Sequence, residues 1–368
     1  MASTEPDARF MALALALGRR GLGRTWPNPA VGALVVKNDM ILGRGWTQPG
    51  GRPHAETEAL ARAGSDARSA TLYVSLEPCS HHGRTPPCVD AIIAAGIARV
   101  LSPMADPNPE VAGAGHWKLA EAGVEVEVGI GAEEARRAHA GHIRRMQDGR
   151  PHTVLKLALS ADGKVALSGR RPAGITGEAA RRRVHLTRAM NDAVATGIGT
   201  ALADDPQLTC RLPGMHSPVR IVFDGKLRLP LASKLVSSAS VTPLWVVTSD
   251  RAPGTLELEL KARGVEVLRV QENAAGRLDL SAALKLLAER GFTRILFEAG
   301  PVLSTALLEA DLVDEAILFH SIMVIGPDGI DALEGLPLSS LTESSRLGRV
   351  ASETVGADRV ETFVRPVA

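Results

Sequence analysis

The chain is poor in aromatic side chains, which make up only 3% of its 368 residues. Proteins that bind single-stranded nucleic acid depend on aromatic rings on which the bases stack, and this chain offers few. The formal net charge is +1, so the sequence also lacks the excess of lysine and arginine that binds a polyanion. These scarcities argue against nucleic acid as a partner and favour small-molecule substrates.

Cysteines and long apolar runs are also scarce. Three cysteines are an odd, small number, which argues against a disulfide framework and for a reducing compartment. The apolar run over residues 10–18 is too short to span a bilayer. Acidic Glu5 and Asp7 precede it, where a secretory signal would carry positive charge. We therefore expect the buried face of an N-terminal helix, in a cytoplasmic protein that has no membrane partner.

The length of the chain exceeds what one hydrophobic core normally serves, so we expect two domains. Short apolar strands alternate with helices in both halves, which predicts two α/β domains with parallel crossovers. The first would be a three-layer αβα domain complete by about Gly131, with one helix trailing to about Asp148. We place the boundary at "DGRP" and assign residues 1–147 and 148–368 to the two domains.

Local patterns predict several elements. Two apolar runs around Asn38 and Asp39 indicate a β-hairpin. A helix is expected over residues 54–64, with glycine at its C-terminal end, and another over residues 178–189. The run "EAILFHSIMVIG", residues 315–326, is predicted to be a strand.

The stretch "EPCSHHGRTPPC", residues 77–88, holds two of the three cysteines. We expect Cys79 and Cys88 at or near helix starts, which favour the thiolate that binds metal. His54 in "PHAE" supplies a third ligand, and a catalytic zinc keeps its fourth position for water. Glu56 would not be a ligand but would move protons between that water and a departing amine. H-x-E followed by P-C and a second cysteine is the pattern of zinc deaminases, although eight residues separate the cysteines here instead of two.

Other interpretations of these residues stay open. His81 or His82 could complete a structural zinc site of a binding module without chemistry, although Glu56 would then have no use. A deaminase acting on RNA or single-stranded DNA is a further alternative, which the charge and the low aromatic content oppose. Cys210 has no partner nearby in sequence and is predicted to be a packed residue.

The motifs "HAE" and "LEPCSHHGRTPPC", with "PNPAVGALVV" at residues 27–36 and "DPNP" at residues 106–109, resemble one family closely. They are similar to the deaminase half of the bifunctional riboflavin-biosynthesis deaminase/reductase, and the resemblance extends through the second half. It implies a cytidine-deaminase-like domain and a dihydrofolate-reductase-like domain. It further implies a pyrimidinone substrate with a ribosylamino 5′-phosphate, which is deaminated with zinc and then reduced with NADPH, and it makes Asn28 a substrate contact.

In the second half, Gly300 and Pro301 open a helix directly after a predicted strand, which suits a phosphate but also a plain strand–turn–helix connection. Arg188 and Arg211 would suit a sugar phosphate as a guanidinium pair. The resemblance assigns the substrate to Arg188, Leu208, Arg211 and Glu298, and NADPH to Ala158, Thr200, Asp204, Gly300, Pro301, Val302, Leu303, Ser304 and Thr305.

One departure from the family lies in "GRRPAGIT", where Pro172 and Gly174 stand in place of a serine and a tryptophan. The alternative function is therefore a deaminase whose reductase-like domain is weak or inactive. Lys156 and Asp162 are the candidates for the proton donor of the reduction. We also expect a homo-oligomer.

Overall fold

The computed structural model describes residues 5–83, 85–109 and 111–366. The chain divides into two compact units, and the division falls between Gly149 and Arg150. Among the described residues, none of the helices has the length and apolar character needed to cross a membrane.

The first unit contains a five-stranded sheet in the order β2-β1-β3-β4-β5. Strand β1 is antiparallel to both of its neighbours, whereas β3, β4 and β5 run parallel. Asn38 and Asp39 have positive φ angles of 52° and 60°, which is the backbone geometry of a tight hairpin turn, so the predicted hairpin is present. The strands are β1 (Gly32–Lys37), β2 (Met40–Trp46), β3 (Thr71–Val74), β4 (Arg99–Ser102) and β5 (Glu125–Val128).

Helices cover both faces of this sheet. The first helix buries Phe10 and Leu15 against Leu34, while Ala59 packs with Val35 on the other face. This arrangement is the expected three-layer fold. The helices are α1 (Glu5–Gly18), α2 (Ala55–Ala63), α3 (Cys88–Ala94), α4 (Ala114–Glu121), α5 (Ala132–Ala138) and α6 (Ala140–Asp148).

The prediction of one trailing helix before Asp148 was wrong. The chain breaks at His139 between α5 and α6, where the imidazole Nε2 lies 2.7 Å from the buried carbonyl oxygen of Ser75. This tertiary contact turns the chain, and no local sequence pattern records it.

Strand β2 lies against α2 without intervening side chains. A Cβ atom added to Gly45 would lie 2.2 Å from the carbonyl oxygen of Ala55, and one added to Gly43 would lie 2.1 Å from that of Ala59. Two glycines therefore allow the helix backbone to rest directly on the strand.

The second unit contains a nine-stranded sheet in the order β11-β10-β9-β8-β12-β6-β13-β16-β15 and a small β7-β14 pair. In this order, the seven strands from β11 through β13 run parallel to one another. The last two, β16 and β15, are antiparallel to their neighbours. They are β6 (His152–Leu159), β7 (Lys164–Ala166), β8 (Ala193–Gly197), β9 (Val219–Phe223), β10 (Leu244–Ser249), β11 (Glu266–Val270), β12 (Arg294–Phe297), β13 (Glu315–His320), β14 (Ile330–Asp331), β15 (Gly348–Val355) and β16 (Asp358–Val364).

Strand β13 ends at His320. The strand predicted over residues 315–326 was therefore too long, because residues 321–326 are not part of it. Ile322 and Val324 of that segment are exposed, which explains why an apolar run does not continue the sheet. The helices are α7 (Glu178–Ala189), as predicted, α8 (Ile198–Asp204), α9 (Lys234–Ser237), α10 (Gly254–Lys261), α11 (Leu280–Glu289), α12 (Pro301–Glu309) and α13 (Ser339–Thr342).

Candidate active sites

Three predicted metal ligands meet at the starts of α2 and α3 in the first unit. His54 is the N-terminal cap of α2, and Cys88 is the first residue of α3. The imidazole Nδ1 of His54 lies 3.3 Å from Cys88 Sγ and 3.6 Å from Cys79 Sγ. All three candidate ligand atoms lie within 4.8 Å of one another. The starts of two helices and the loop before α3 thus bring together residues from distant parts of the sequence.

The separation of these atoms suits tetrahedral zinc. With Zn–S near 2.3 Å and Zn–N near 2.0 Å, tetrahedral ligands are roughly 3.5 Å apart, which agrees with the distances from Nδ1 to the two sulfurs. His81 and His82 are exposed and lie outside this group, and among the described residues no fourth histidine, cysteine or carboxylate joins it. A closed structural site is therefore not formed, and one position is left for water.

Cys79 does not lie at a helix start, contrary to the expectation. It lies in the irregular segment between β3 and α3. The thiol of Cys88 donates to its sulfur and, with the backbone N–H of Cys88 at 3.3 Å, lowers the pKa of Cys79 to about 4. Cys79 is therefore not part of a helix, but the start of α3 stabilises its thiolate because the two lie close together in the fold.

Glu56 lies in the first turn of α2, two residues after His54, and only 3% of its surface is exposed. Its carboxyl group contacts the thiol of Cys88. Burial raises the pKa of this carboxyl, and the Cys79 thiolate raises it further. A carboxyl beside the candidate metal ligands with a raised pKa is suited to accept and return a proton near neutral pH.

Neighbouring groups hold the segments that carry the candidate metal ligands. The Asn28 amide lies 3.3 Å from Nε2 of His54 and donates to Gly51 O, so Nδ1 is left to face the sulfurs. Asn28 was predicted as a substrate contact, and this position beside the imidazole had no signal in the sequence. Glu77 is buried two residues before Cys79 and accepts hydrogen bonds from the backbone N–H groups of residues 106, 113 and 115. The sequence did not predict that Glu77 holds this loop.

The second unit holds a cleft of about 1030 Å³ at the carboxyl ends of its parallel strands. Strand β12 lies between β6 and β8, so the strand order reverses there, and ligands of open α/β sheets bind at such a point. A Cβ atom on Gly300 would lie 2.7 Å from Thr200 Oγ1, so a larger residue where α12 begins would displace the Thr200 side chain. Gly300, Pro301 and Val302 line the cleft, so the start of α12 faces it and can receive an anionic group.

Most residues predicted to bind NADPH or substrate line this cleft. They are Ala158, Arg188, Thr200, Asp204, Leu208, Glu298, Gly300, Pro301, Val302 and Leu303. Ser304 and Thr305 do not line it, and both are buried. The hydroxyl of Ser304 donates to Ala299 O, and that of Thr305 accepts from Glu334 N.

The two predicted phosphate-binding arginines differ in their surroundings. Arg188 donates from two nitrogens to the Glu298 carboxylate, one of them at 2.9 Å, and from a third to Thr209 O. Burial opposes the Glu298 charge, yet Arg188 holds the pKa of this carboxyl below its usual range. Arg211 is exposed, does not line the cleft, and has a weak contact with Thr209 Oγ1 at 3.4 Å. Of these two arginines, only Arg211 has no carboxylate partner among the described residues.

The remaining expectations concern the departing segment and the proton donor. Pro172 and Gly174 line the cleft, so the missing aromatic ring belongs to this surface. Lys156 also lines it, and burial lowers the pKa of its ammonium. Asp162 lies elsewhere and accepts from Ile325 N and Gly326 N, which lower its pKa to about 2. Cys210 is buried, as predicted for a packed residue.

Three basic residues of the cleft were missed. Lys226, Arg228 and Arg277 line it from loops at the ends of β9 and before α11. The rule that ligands bind at the carboxyl ends of parallel strands would have selected the loop after "VRIVFDG".

Two family models match the chain, one in each half. The model described as the cytidine and deoxycytidylate deaminase zinc-binding region matches residues 4–104. The model described as the RibD C-terminal domain matches residues 151–360. The first match covers all three metal-binding candidates, and the second covers the cleft.

Similar proteins match over nearly the whole chain. The riboflavin biosynthesis protein RibD of Escherichia coli K12 is 41% identical over 345 residues, covering 90% of this chain and 92% of that protein. RibD of Aquifex aeolicus is 38% identical, covering 98% and 99%. Two solved structures also match the fold of this chain over nearly its whole length. Acinetobacter baumannii RibD is 35% identical with a TM-score of 0.87, covering 99% of each chain.

The second is a crystal structure from Thermotoga maritima, described as a diaminohydroxyphosphoribosylaminopyrimidine deaminase/5-amino-6-(5-phosphoribosylamino)uracil reductase. It is 34% identical with a TM-score of 0.84 and covers 98% of each chain. Deaminase and reductase domains are therefore both present, and the predicted fold class is confirmed. The chain belongs to the RibD family of bifunctional deaminase/reductase enzymes of riboflavin biosynthesis.

Proposed function

We propose that the first unit removes the ring amine of a diaminohydroxyphosphoribosylaminopyrimidine, the compound named for the Thermotoga maritima relative. His54, Cys79 and Cys88 would hold zinc, which supplies a water of lowered pKa when bound. Glu56 would take one proton from the attacking water and pass it to the ring nitrogen, and would then pass the second proton of the new hydroxyl group to the departing amine. Water provides the new oxygen and ammonia leaves, so the step is a hydrolysis.

The observation that carries this proposal is the triangle of Nδ1 and two sulfurs with the Glu56 carboxyl against it. A structural metal site has no use for a buried carboxyl of raised pKa beside an incomplete ligand set. The near-neutral charge of the chain again argues against RNA or DNA as the substrate.

The second unit uses NADPH, and we propose that it reduces the ribosyl chain of the deaminated product to ribityl. The residues at the start of α12, with Ala158, Thr200 and Asp204, would bind the cofactor. Arg188, Leu208, Arg211 and Glu298 would hold the substrate, with Arg211 on its phosphate. The cofactor supplies the hydride, and the protein provides orientation and charge. Lys156 is the better candidate for the proton donor, because it lines the cleft whereas Asp162 is held ionised elsewhere.

The matched C-terminal domain disfavours the alternative of a deaminase with an inactive second half. We assign the deaminase to residues 1–147 and the reductase to residues 148–368. We also propose a cytoplasmic homo-oligomer that binds neither membranes nor nucleic acid. Edge strand β15 supports association, because seven of its eight residues are exposed and its outer side has no partner strand within the described chain.

The deciding experiment supplies the phosphorylated diaminopyrimidine to the purified chain and follows ammonia release and NADPH oxidation together. We expect one ammonia and one oxidised NADPH per substrate. Release of ammonia without oxidation of NADPH, even when deaminated product is added, would restore the deaminase-only alternative.

A further inference from the structure

The segment of residues 205–211 carries two of the proposed substrate contacts, yet it forms neither helix nor strand. Leu208 lines the cleft with a φ angle of 54°, which is unfavourable for a bulky side chain and persists only where other contacts impose it. The side chain of Arg211 makes only weak contacts, at 3.4 Å, with Gln207 Oε1 and Thr209 Oγ1. The position of Arg211 therefore depends on what holds the main chain of this segment.

Helix α7 supports this main chain from one of its faces. His185 and Arg188 are three residues apart in the helix, so their side chains are neighbours. Nη1 of Arg188 donates to the carbonyl oxygen of Thr209 at 2.9 Å. Nδ1 of His185 lies 3.1 Å from the same oxygen and 3.3 Å from the backbone nitrogen of Arg211. The two side chains thus hold the main chain on both sides of Cys210.

The surroundings of His185 select the hydrogen bond that its imidazole makes. Burial lowers the pKa of His185, and the charges of Arg188 and Arg211 lower it further, so the ring is uncharged at neutral pH. An uncharged imidazole has one N–H group and one acceptor nitrogen. Because the carbonyl oxygen of Thr209 already accepts from Arg188, both backbone groups are paired when Nδ1 accepts from the N–H of Arg211.

We propose that His185 is a positioning residue of the reductase, which holds the backbone N–H of Arg211 so that the guanidinium group reaches the phosphate of the substrate. His185 itself does not line the cleft, so it acts on the substrate through Arg211 and not by contact. The inference rests on the proposed reductase function, in which Arg211 binds the substrate phosphate. It adds a residue of α7 that no motif in the sequence singled out.

The test measures kcat and KM for NADPH-dependent reduction of the deaminated, phosphorylated pyrimidine by the full chain. His185→Ala should raise the KM of this substrate about three- to tenfold, because one hydrogen bond is lost. The kcat and the KM of NADPH should stay within about twofold of wild type, because only substrate binding is weakened. His185→Leu keeps most of the bulk without an acceptor and should behave in the same way. Alanine and leucine both favour helices, so both variants should fold.

Rescue and a double variant separate positioning from general support of the fold. In His185→Asn, the Oδ1 atom takes the place of Nδ1 and can accept from the same N–H, so the KM should return to within about twofold of wild type. In protein that already carries Arg211→Ala, the further change His185→Ala should have no additional effect on KM, since the guanidinium that it positions is gone. His320→Ala is the matched control, because His320 lies in the same unit, 3.0 Å from the Glu361 carboxylate, and does not line the cleft. It should leave the KM unchanged.

Three results would overturn the role of His185. The first is a wild-type KM in the alanine and leucine variants. The second is a loss in the double variant equal to the product of the two single losses, because His185 would then not act through Arg211. The third is a fall in kcat with an unchanged KM. Absence of NADPH oxidation by the wild-type chain would instead sink the reductase function itself, and this result is distinguishable because it depends on no variant.

Discussion

The two sites of this chain are built in opposite ways. In the first unit, three candidate ligand atoms within 4.8 Å of one another and one buried carboxyl form the proposed reactive centre. In the second, a cleft of about 1030 Å³ draws its lining from residues between Lys156 and Ile330. The protein's own side chains must move protons at the first site, so their placement is tight. A cofactor carries the hydride at the second, so the protein offers an extended binding surface.

The sharpest test of this contrast is Glu56→Gln. Removing the only proposed proton carrier of the compact site should lower ammonia release by about a thousandfold or more. Zinc content should stay at the wild-type level, because Glu56 is not proposed as a ligand. Reduction of deaminated product should continue unchanged. Deamination at a near-normal rate would show that another group carries the proton.

Cys88→Ser tests the metal triangle. Loss of one of three ligands should lower the zinc content, measured by elemental analysis, to roughly a tenth of wild type or less. Cys210→Ser is the control, because Cys210 is also buried but lies in the other unit. It should keep its zinc. A Cys88→Ser protein with full zinc would remove Cys88 from the ligand set.

Arg211→Ala tests the dispersed site, where one residue should matter less. The variant should raise the apparent KM of the phosphorylated substrate for reduction about ten- to a hundredfold, since one charged contact is lost. NADPH affinity and ammonia release should not change. Arg182→Ala, an exposed arginine of α7 paired with Glu178, is the control and should have no effect on KM. An unaltered KM for Arg211→Ala would mean that the phosphate binds elsewhere.

Gly45→Ala tests how rigidly the compact site is mounted. The new methyl group would meet Ala55 O at 2.2 Å, so α2 must move from β2. We expect the free energy of unfolding to fall by about 1–3 kcal/mol, with weaker zinc binding because His54 caps that helix. Gly254→Ala, where a Cβ atom meets nothing within 4 Å, should change stability by less than about 0.5 kcal/mol or raise it. Chemical denaturation and a zinc competition assay measure both effects.

Sequence patterns predicted the compact site better than its surroundings. "HAE" and the cysteine loop identify the candidates because their chemistry needs particular residue types in order. They could not reveal that α3 acts on Cys79 from across the loop, since that contact is tertiary. The hairpin of β15 and β16 was missed because the outer strand, from Gly348 to Val355, is exposed and polar and lacks an apolar alternation. The cations near β9 were missed because a lysine in a loop has no distinguishing pattern.

The buried carboxylate of Glu77 has a consequence for motion. It holds the N–H groups of Asp106, Gly113 and Gly115 at 2.7–2.9 Å, and it stands two residues before Cys79. Opening of that loop must break several charge-assisted hydrogen bonds at once and leave a carboxylate unsolvated. The loop and the cysteine segment therefore open together as one cooperative unit, and amide exchange at residues 106, 113 and 115 should be as slow as in the strands beside them.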